Sequence, residues 1–534
     1  MQSRPPLRTD VAVDIRRNPL VGGGTCADSH NMKRATDERH LPQKCPRPTI
    51  AHRVSSHSSS SSACPSSADV LSRPIFRTVS SISIGGASAD ETICSRDNER
   101  RRRLTRLING RILQEDGSLV RGKVIVDPNT GLIVAVEYGS QSNEDEQDVI
   151  DCVGHIISPG FIDVQINGGF GVDFSSDGLT MADISYVSER LVETGVTSFC
   201  PTMVSSSSET YRHVLALMRE ARQNQATGRG KFGANVLGLH LEGPFFAKSK
   251  RGAHDKQHVI SPSDGMGSVA KVYGVRSESL RDIDIVTLAP ELEGAHEVIA
   301  ELTRSDRDRA SVVVSCGHTE ATYNDGIEAL RQGATLLTHL YNAMNPFHHR
   351  NPGLVGLLSS EAKLASMSLK RPYYSMIVDG IHVHESAVAM AFSSHPDGCV
   401  LVTDAMAALG LDDGQHTLGN MKVDIRGDRA TLPGTETLAG AVVGLDEIVR
   451  RFRRFTCCSA GQALQCATMH PSIVLKRNAA AAKKKQIGRG LVDAPIGTIE
   501  AGARADITIL DDALTVLETW VAGRCAYQRN LKQN

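Results

Sequence analysis

Short apolar runs recur through the middle of the chain, and most close on a polar or charged residue. They are Ile156–Gln165, Val196–Met203, Val236–Glu242, Ile285–Glu291, Val312–His318, Thr335–His339, Tyr374–His382 and Val400–Asp404. Between them lie segments with helical spacing of apolar positions, for example Ile184–Thr194 and Tyr211–Gln223. Runs apolar on both faces, alternating with helices, predict a parallel sheet. Eight such units fit a closed (β/α)₈ barrel. An open doubly wound sheet is the alternative, but no GxGxxG follows the first run to support it.

The flanks carry a different pattern. Over 104–157, short runs such as Lys123-Val124-Ile125-Val126 are separated by turn signals at Asp116-Gly117 and Asp127-Pro128-Asn129. Ala505–Leu510 and Thr519–Arg524 repeat that texture near the C-terminus. Hairpins at both ends predict one small β unit built from both termini. The expected architecture is α/β: a (β/α)₈ TIM-like barrel over 158–476, with a small β-sandwich domain made of 104–157 and 491–534. Residues 477–490, with Lys483-Lys484-Lys485, read as a solvated insertion loop rather than a basic binding patch.

Residues 1–103 lack apolar periodicity, include the serine-rich stretch 55–67 and end on Arg100–Arg103. Such a segment buries too little apolar surface to offset chain entropy and reads as a disordered extension. A transit peptide is the alternative; interspersed acidic residues and the absence of an amphipathic start oppose it. Composition narrows the function. A net charge of −1 over 534 residues gives no electrostatic footprint for nucleic acid or a membrane surface. No apolar run reaches the roughly 18 residues of a membrane span. The 12 cysteines include no CxxC pair, which points to free thiols in a reducing compartment, the cytoplasm by default.

The chemistry gathers where the runs end. Asp163, Gln165 and Asn167 close the first, His240 and Glu242 the third, His318 the fifth, and His339 the sixth. Asp379 and His382 close the seventh, and Asp404 the eighth. In a (β/α)₈ barrel these ends converge on one face, so residues distant in sequence share a pocket. A lone strand-end His is ordinarily a hydrogen-bonded core or surface residue, and a strand-end Asp or Glu ordinarily caps a helix. Their joint placement is what argues for a site. One Glu and two His leave an open position for water on a catalytic metal, so Glu242, His318 and His339 are the candidate ligands. A bound metal lowers the pKa of water to about 7. Asp404 suits the base that takes the water's proton and returns it to a leaving amine.

These residues sit in PGFIDVQINGG (159–169), HLEGPF (240–245), APELEG (289–294), GHTEAT (317–322), THLYNAM (338–344), VDGIH (378–382), LVTDA (401–405) and TLAG (437–440). In that order, from about Leu104 to Tyr527, the set resembles the N-acetylglucosamine-6-phosphate deacetylases of the amidohydrolase superfamily. The resemblance implies hydrolysis of N-acetyl-D-glucosamine 6-phosphate to glucosamine 6-phosphate and acetate. It implies Glu242, His318 and His339 as metal ligands and Asp404 as catalytic acid and base. It also implies substrate contacts at Ala253, His254, Asn342, Ala343 and His382, and a phosphate-binding Arg350 that can reach in from a neighbouring subunit of a homodimer. Leu438, Ala439 and Gly440 match a loop that closes over the sugar. The guanidinium fork of Arg350 suits a phosphate dianion.

Many amidohydrolases carry His-x-His in the first strand and bind two metals. Here the residues are Gln165-Ile166-Asn167, and neutral amides are poor ligands for such ions. The expectation is one divalent ion per subunit, zinc by default, with iron, cobalt or manganese as alternatives. Three departures leave the ligands untouched: the extension over 1–103, the 477–490 insertion, and Ala441 where the family often has Ser. The rival enzymes are a cyclic amidase or a base deaminase; Arg350 with Asn342-Ala343 favours a phosphorylated substrate. A silent sugar-phosphate-binding protein is the rival of another class, and it would have no need of the intact Glu-His-His-Asp set.

Overall fold

The computed structural model describes residues 104–530, apart from 140–147, 227–232, 275–276, 306–310, 360, 419–420, 437, 479 and 482–490. The expected extension over 1–103 and most of the expected insertion at 477–490 lie outside the described residues.

Eight parallel strands form the centre: β1 (Phe161–Ile166), β2 (Val196–Met203), β3 (Leu239–Glu242), β4 (Ile283–Leu288), β5 (Val313–Cys316), β6 (Leu336–Leu337), β7 (Tyr373–Ile377) and β8 (Cys399–Val402). Each pairs in parallel with the next. Every expected run therefore overlaps a strand; Val196–Met203 matches its strand end to end, and the other strands are shorter than their runs. His318, His339 and Asp404 lie just past the ladders, where φ turns positive at 50°, 31° and 47°. The ladder cannot continue through a left-handed residue, so these side chains leave the strand direction.

The first run is two strands. Ile156–Pro159 joins the sheet at the chain ends, and β1 joins the barrel. Gly160 separates them, where a Cβ would sit 2.1 Å from Thr197 Oγ1. Only glycine admits that approach between β1 and β2.

Period-two alternation then sorts each barrel strand. Phe161, Phe199, Leu241, Val286, Val314 and Leu401 pack outward into the main core with the helices. Ile162, Val164, Ile285, Val313, Leu336 and Val400 form a separate inner cluster. Above that cluster runs a polar layer. His240 Nδ1–H donates to Val164 O (2.9 Å), and Thr287 Oγ1 lies 2.7 Å from His240 Nε2. Thr338 Oγ1 bonds Thr287 (2.8 Å) and Ser315 (2.5 Å). Burial holds the His240 pKa down at about 4, so the ring is neutral and the layer carries no charge.

The barrel is nearly closed between β8 and β1. Low on that seam each strand bonds a third segment: Ile162 N–H to Ala467 O (2.8 Å) and Leu401 N–H to Cys466 O (2.9 Å). At the top they meet directly, with Asp404 N–H to Gln165 O and Asn167 N–H to Ala405 O, both 2.8 Å. Asp163 is buried in this seam and accepts Thr403 Oγ1–H at 2.6 Å. Burial pushes its pKa up to about 7, against the hydrogen bonds it accepts. Between its ordinary 3.8 and about 7 the folded chain binds a proton the unfolded chain has lost, so stability falls as pH rises through that window. A shift of that size is worth up to about 4 kcal/mol. Asp163→Asn is therefore expected to flatten the decline of the thermal midpoint between pH 5 and 7.5; an unchanged slope would count against this account of the seam.

The two ends of the described chain share one eight-stranded sheet, with Ile507–Leu510 pairing Ile156–Pro159 and Thr105–Leu113 pairing Leu119–Asp127. Between β8 and the helix Leu445–Thr456 lies an antiparallel sheet that the sequence pattern did not reveal: Gly414–Leu418, Met421–Arg426, Arg429–Thr431 and Leu438–Gly440. Leu438–Gly440, expected as a loop, is its last strand. Among the described residues no helix is long and apolar enough to cross a membrane.

Candidate active site

Three side chains meet at the top of the barrel. Glu242 Oε1 lies 3.2 Å from His318 Nε2 and 3.1 Å from His339 Nε2, and the two nitrogens are 3.0 Å apart. All three residues are buried. Burial favours the neutral form of Glu242, but the two imidazoles outweigh it and hold the carboxyl well below the usual carboxylate range. Burial lowers both imidazoles; the Glu242 carboxylate reverses this for His339, which is raised, and not for His318, which stays lowered.

The local structure fixes how the donors point. His318 Nδ1–H donates to Lys250 O (2.8 Å), which leaves Nε2 as a bare lone pair facing Glu242. Phe246 stacks on the His318 ring at 4.1 Å between centroids. The loop after His318 is tied down by Glu291, which accepts from Thr319 Oγ1 (2.5 Å) and Glu320 N (2.6 Å). A Thr322–Asp325 capping box then starts the helix Tyr323–Arg331. His339 is held through its backbone, whose N–H donates to Ser375 Oγ at 2.7 Å. Two imidazole lone pairs and one carboxylate oxygen converging in a buried space repel unless a proton or a cation lies among them. The donor set is that of a divalent transition-metal site, so these residues fit a metal.

Gln165 and Asn167, expected only as poor ligands, act as donors. Gln165 Nε2 donates to Glu242 Oε1 (2.8 Å), and Asn167 Nδ2 donates to Asp404 Oδ1 (2.7 Å). Their own oxygens, Oε1 and Oδ1, are buried with no hydrogen-bond partner among the described residues. The seam hydrogen bonds between Asp404 and Gln165 bring these groups together. Burial, with the Glu242 carboxylate second, pushes the Asp404 pKa up to about 7. A carboxylate tuned there can both take and return a proton near neutral pH.

His254 lies beside this centre, its ring 4.8 Å from that of His318. Its Nδ1 accepts the backbone N–H of Ser205 (3.1 Å). Burial, reinforced by His318, lowers its pKa to about 3, so the ring is neutral and carries its proton on Nε2. Neighbouring Ala253 is exposed. Asn342 and Ala343 follow His339 in a turn: Asn342 N–H donates to His339 O (2.9 Å), and Ala343 O accepts Thr319 N–H (3.0 Å). His382 follows β7, with Nδ1 2.6 Å from Asp379 Oδ2. The 438–440 strand reaches the barrel top through a bridge between Ala441 and Ala405. Arg350 is placed differently: it sits on an exposed loop and bonds His349 Nε2 at 3.1 Å.

Sequence reasoning missed the Lys250 carbonyl, the Ser205 N–H and the donor roles of Gln165 and Asn167. Backbone partners leave no trace in residue type. The two amides were visible in the first run but were weighed only as ligands.

Comparison with known proteins adds to this geometry. Residues 156–481 match the model of the amidohydrolase family. The N-acetylglucosamine-6-phosphate deacetylase of Bos taurus is 42% identical over 425 residues, which span 79% of this chain and 94% of that protein. The human protein of the same name is also 42% identical, over 79% of this chain and 94% of its own length. A Mycobacterium smegmatis N-acetyl-D-glucosamine-6-phosphate deacetylase variant, solved in complex with N-acetyl-D-glucosamine-6-phosphate, superposes with a TM-score of 0.65 at 28% identity. That match covers 80% of this chain and all of the bacterial one.

Proposed function

The chain belongs to the N-acetylglucosamine-6-phosphate deacetylases of the amidohydrolase family, and from that premise we propose that it hydrolyses the acetamide of N-acetyl-D-glucosamine 6-phosphate to glucosamine 6-phosphate and acetate. The observation that carries this reading is Asp404 beside the Glu242, His318 and His339 triangle. Glu242, His318 and His339 would hold one divalent ion, zinc by default. When bound, such an ion supplies Lewis acidity, polarising a carbonyl and acidifying water.

The chain's own residues do the rest. Asp404 takes the proton of the attacking water and delivers it to the departing nitrogen. Asn167 holds Asp404 Oδ1, leaving Oδ2 as the atom that carries the proton. His254, with its proton on Nε2, donates to the acetyl oxygen as negative charge develops there. Gln165 steadies Glu242 through Oε1. Ala253, Asn342, Ala343 and His382 contact the sugar phosphate, and Leu438, Ala439 and Gly440 cover it. Arg350 binds the phosphate of a neighbouring copy in a homodimer, consistent with its exposed loop. Residues 158–476 form the catalytic unit, the sheet at the chain ends the small β-sandwich unit, and the cytoplasm is the expected location.

The test is acetate release from N-acetylglucosamine 6-phosphate, compared with the unphosphorylated sugar, with metal analysis on the same sample. Equal rates on the two sugars would count against the phosphate assignment. Two tightly held ions per chain would overturn the one-metal reading.

A further inference from the structure

The loop after β7 holds a carboxylate–imidazole pair with more built around it than a substrate contact requires. Asp379 is buried, and Gly380 turns the chain beside it with φ 75°. Asp379 Oδ1 accepts the backbone N–H groups of Ile381 and His382, each at 2.8 Å. Asp379 Oδ2 accepts Nδ1–H of His382 at 2.6 Å. Side-chain exposure is 1% for Asp379 and 15% for His382, so the ring is partly accessible while its anchor stays dry, and the ring lies near enough to Asp404 to act on its carboxyl.

A second element fixes the same turn from behind. In the helix Leu445–Thr456, Arg451 Nη1 donates to the Asp379 carbonyl at 2.5 Å. Its Nη2 pairs with Asp428 Oδ2 (2.5 Å), in the turn before Arg429–Thr431, and its Nε with Glu447 Oε1 (2.8 Å). Both carboxylate oxygens and the carbonyl of Asp379 are thus committed, and the turn cannot rotate without breaking several short bonds. A neutral imidazole carries one N–H, and the nitrogen facing a carboxylate keeps it. The other nitrogen is then an acceptor.

We propose that Asp379 is a positioning residue that keeps the ring proton of His382 on Nδ1 and so presents Nε2 to the site as an acceptor for a sugar hydroxyl. This rests on the reading of the site as a sugar-phosphate deacetylase. Carboxylates that accept a ring N–H fix metal-binding imidazoles in the same way elsewhere. Here the imidazole serves a substrate hydroxyl and not a metal.

Asp379→Asn tests it. The replacement amide still accepts the two backbone N–H groups, but its N–H₂ now faces His382 Nδ1. The ring proton moves to Nε2, and an acceptor becomes a donor facing a hydroxyl. KM for N-acetylglucosamine 6-phosphate is expected to rise about tenfold, with kcat changed by less than about threefold, as for loss of one substrate hydrogen bond. Metal content should not change. On a His382→Ala background the same substitution should add nothing, because Asp379 acts only through that ring. Nitrogen-15 NMR of histidine-labelled wild-type protein reads the tautomer without turnover and should show Nδ1 protonated and Nε2 bare. An unchanged KM, additive losses in the double variant, or a proton on Nε2 in the wild type would each overturn the proposal. Wild-type protein that releases no acetate would instead sink the deacetylase reading, and the NMR result would still judge the pair.

Discussion

Asp404→Asn is expected to lower kcat for acetate release by about 10³-fold or more while the metal content per chain stays unchanged. The amide keeps the size of the carboxylate and its place beside Asn167, but it cannot take the water's proton. Asp404 sits outside the Glu242, His318 and His339 triangle, so the ligand set is intact in the variant. Acetate assay and elemental analysis on one preparation check both halves; turnover within tenfold of wild type would remove Asp404 from the mechanism. The pH profile follows from the same residue. A base must be ionised, so kcat/KM rises with pH through the Asp404 pKa. Burial and Glu242 place that value at about 7 in the protein alone. A bound divalent cation favours the charged form and lowers it. The acidic limb of the metal-loaded enzyme is therefore expected below pH 7, and the residual activity of Asp404→Asn should lack it.

Glu242→Ala is expected to take metal content from about one ion per chain to below about a tenth, with turnover falling in parallel. Glu242 supplies the only anionic oxygen of the triangle, and its Oε1 is the shared partner of His318, His339 and Gln165. Without it two imidazole nitrogens face each other at 3.0 Å with nothing to offset their repulsion. Glu242→Gln separates charge from shape: it fills the same space but offers a neutral oxygen. Elemental analysis of washed protein and recovery of activity on adding metal are the measurements. Full occupancy in Glu242→Ala would show that the ion sits elsewhere, and full occupancy in Glu242→Gln would show that the site does not need the charge of Glu242.

Much of this was legible before the fold was known. Glu242, His318, His339 and Asp404 each close an apolar run, and the parallel strands carry all four to one end of the barrel. The strand limits were less legible. The run Ile156–Gln165 is buried throughout, Ser158 and Asp163 included, yet it divides at Gly160 between two sheets. A continuous apolar run records burial and not which sheet does the burying. The antiparallel sheet over 414–440 was invisible because its strands are short and rich in polar residues such as Gln415, Asp424 and Arg429.

The sequence by itself determined which residues are available and that they lie at the ends of buried strands, because period and burial are local properties that residue types encode. Only the tertiary structure decided how those residues are held. The seam between β8 and β1 puts Asn167 on Asp404, the Lys250 carbonyl turns His318 Nε2 toward Glu242, and Ser205 N–H leaves the His254 proton on Nε2. Each of these depends on a partner 49 to 237 residues away, often a backbone group. Register between distant strands, and with it the protonation pattern of the site, is set by how the barrel packs and not by any short stretch of the chain.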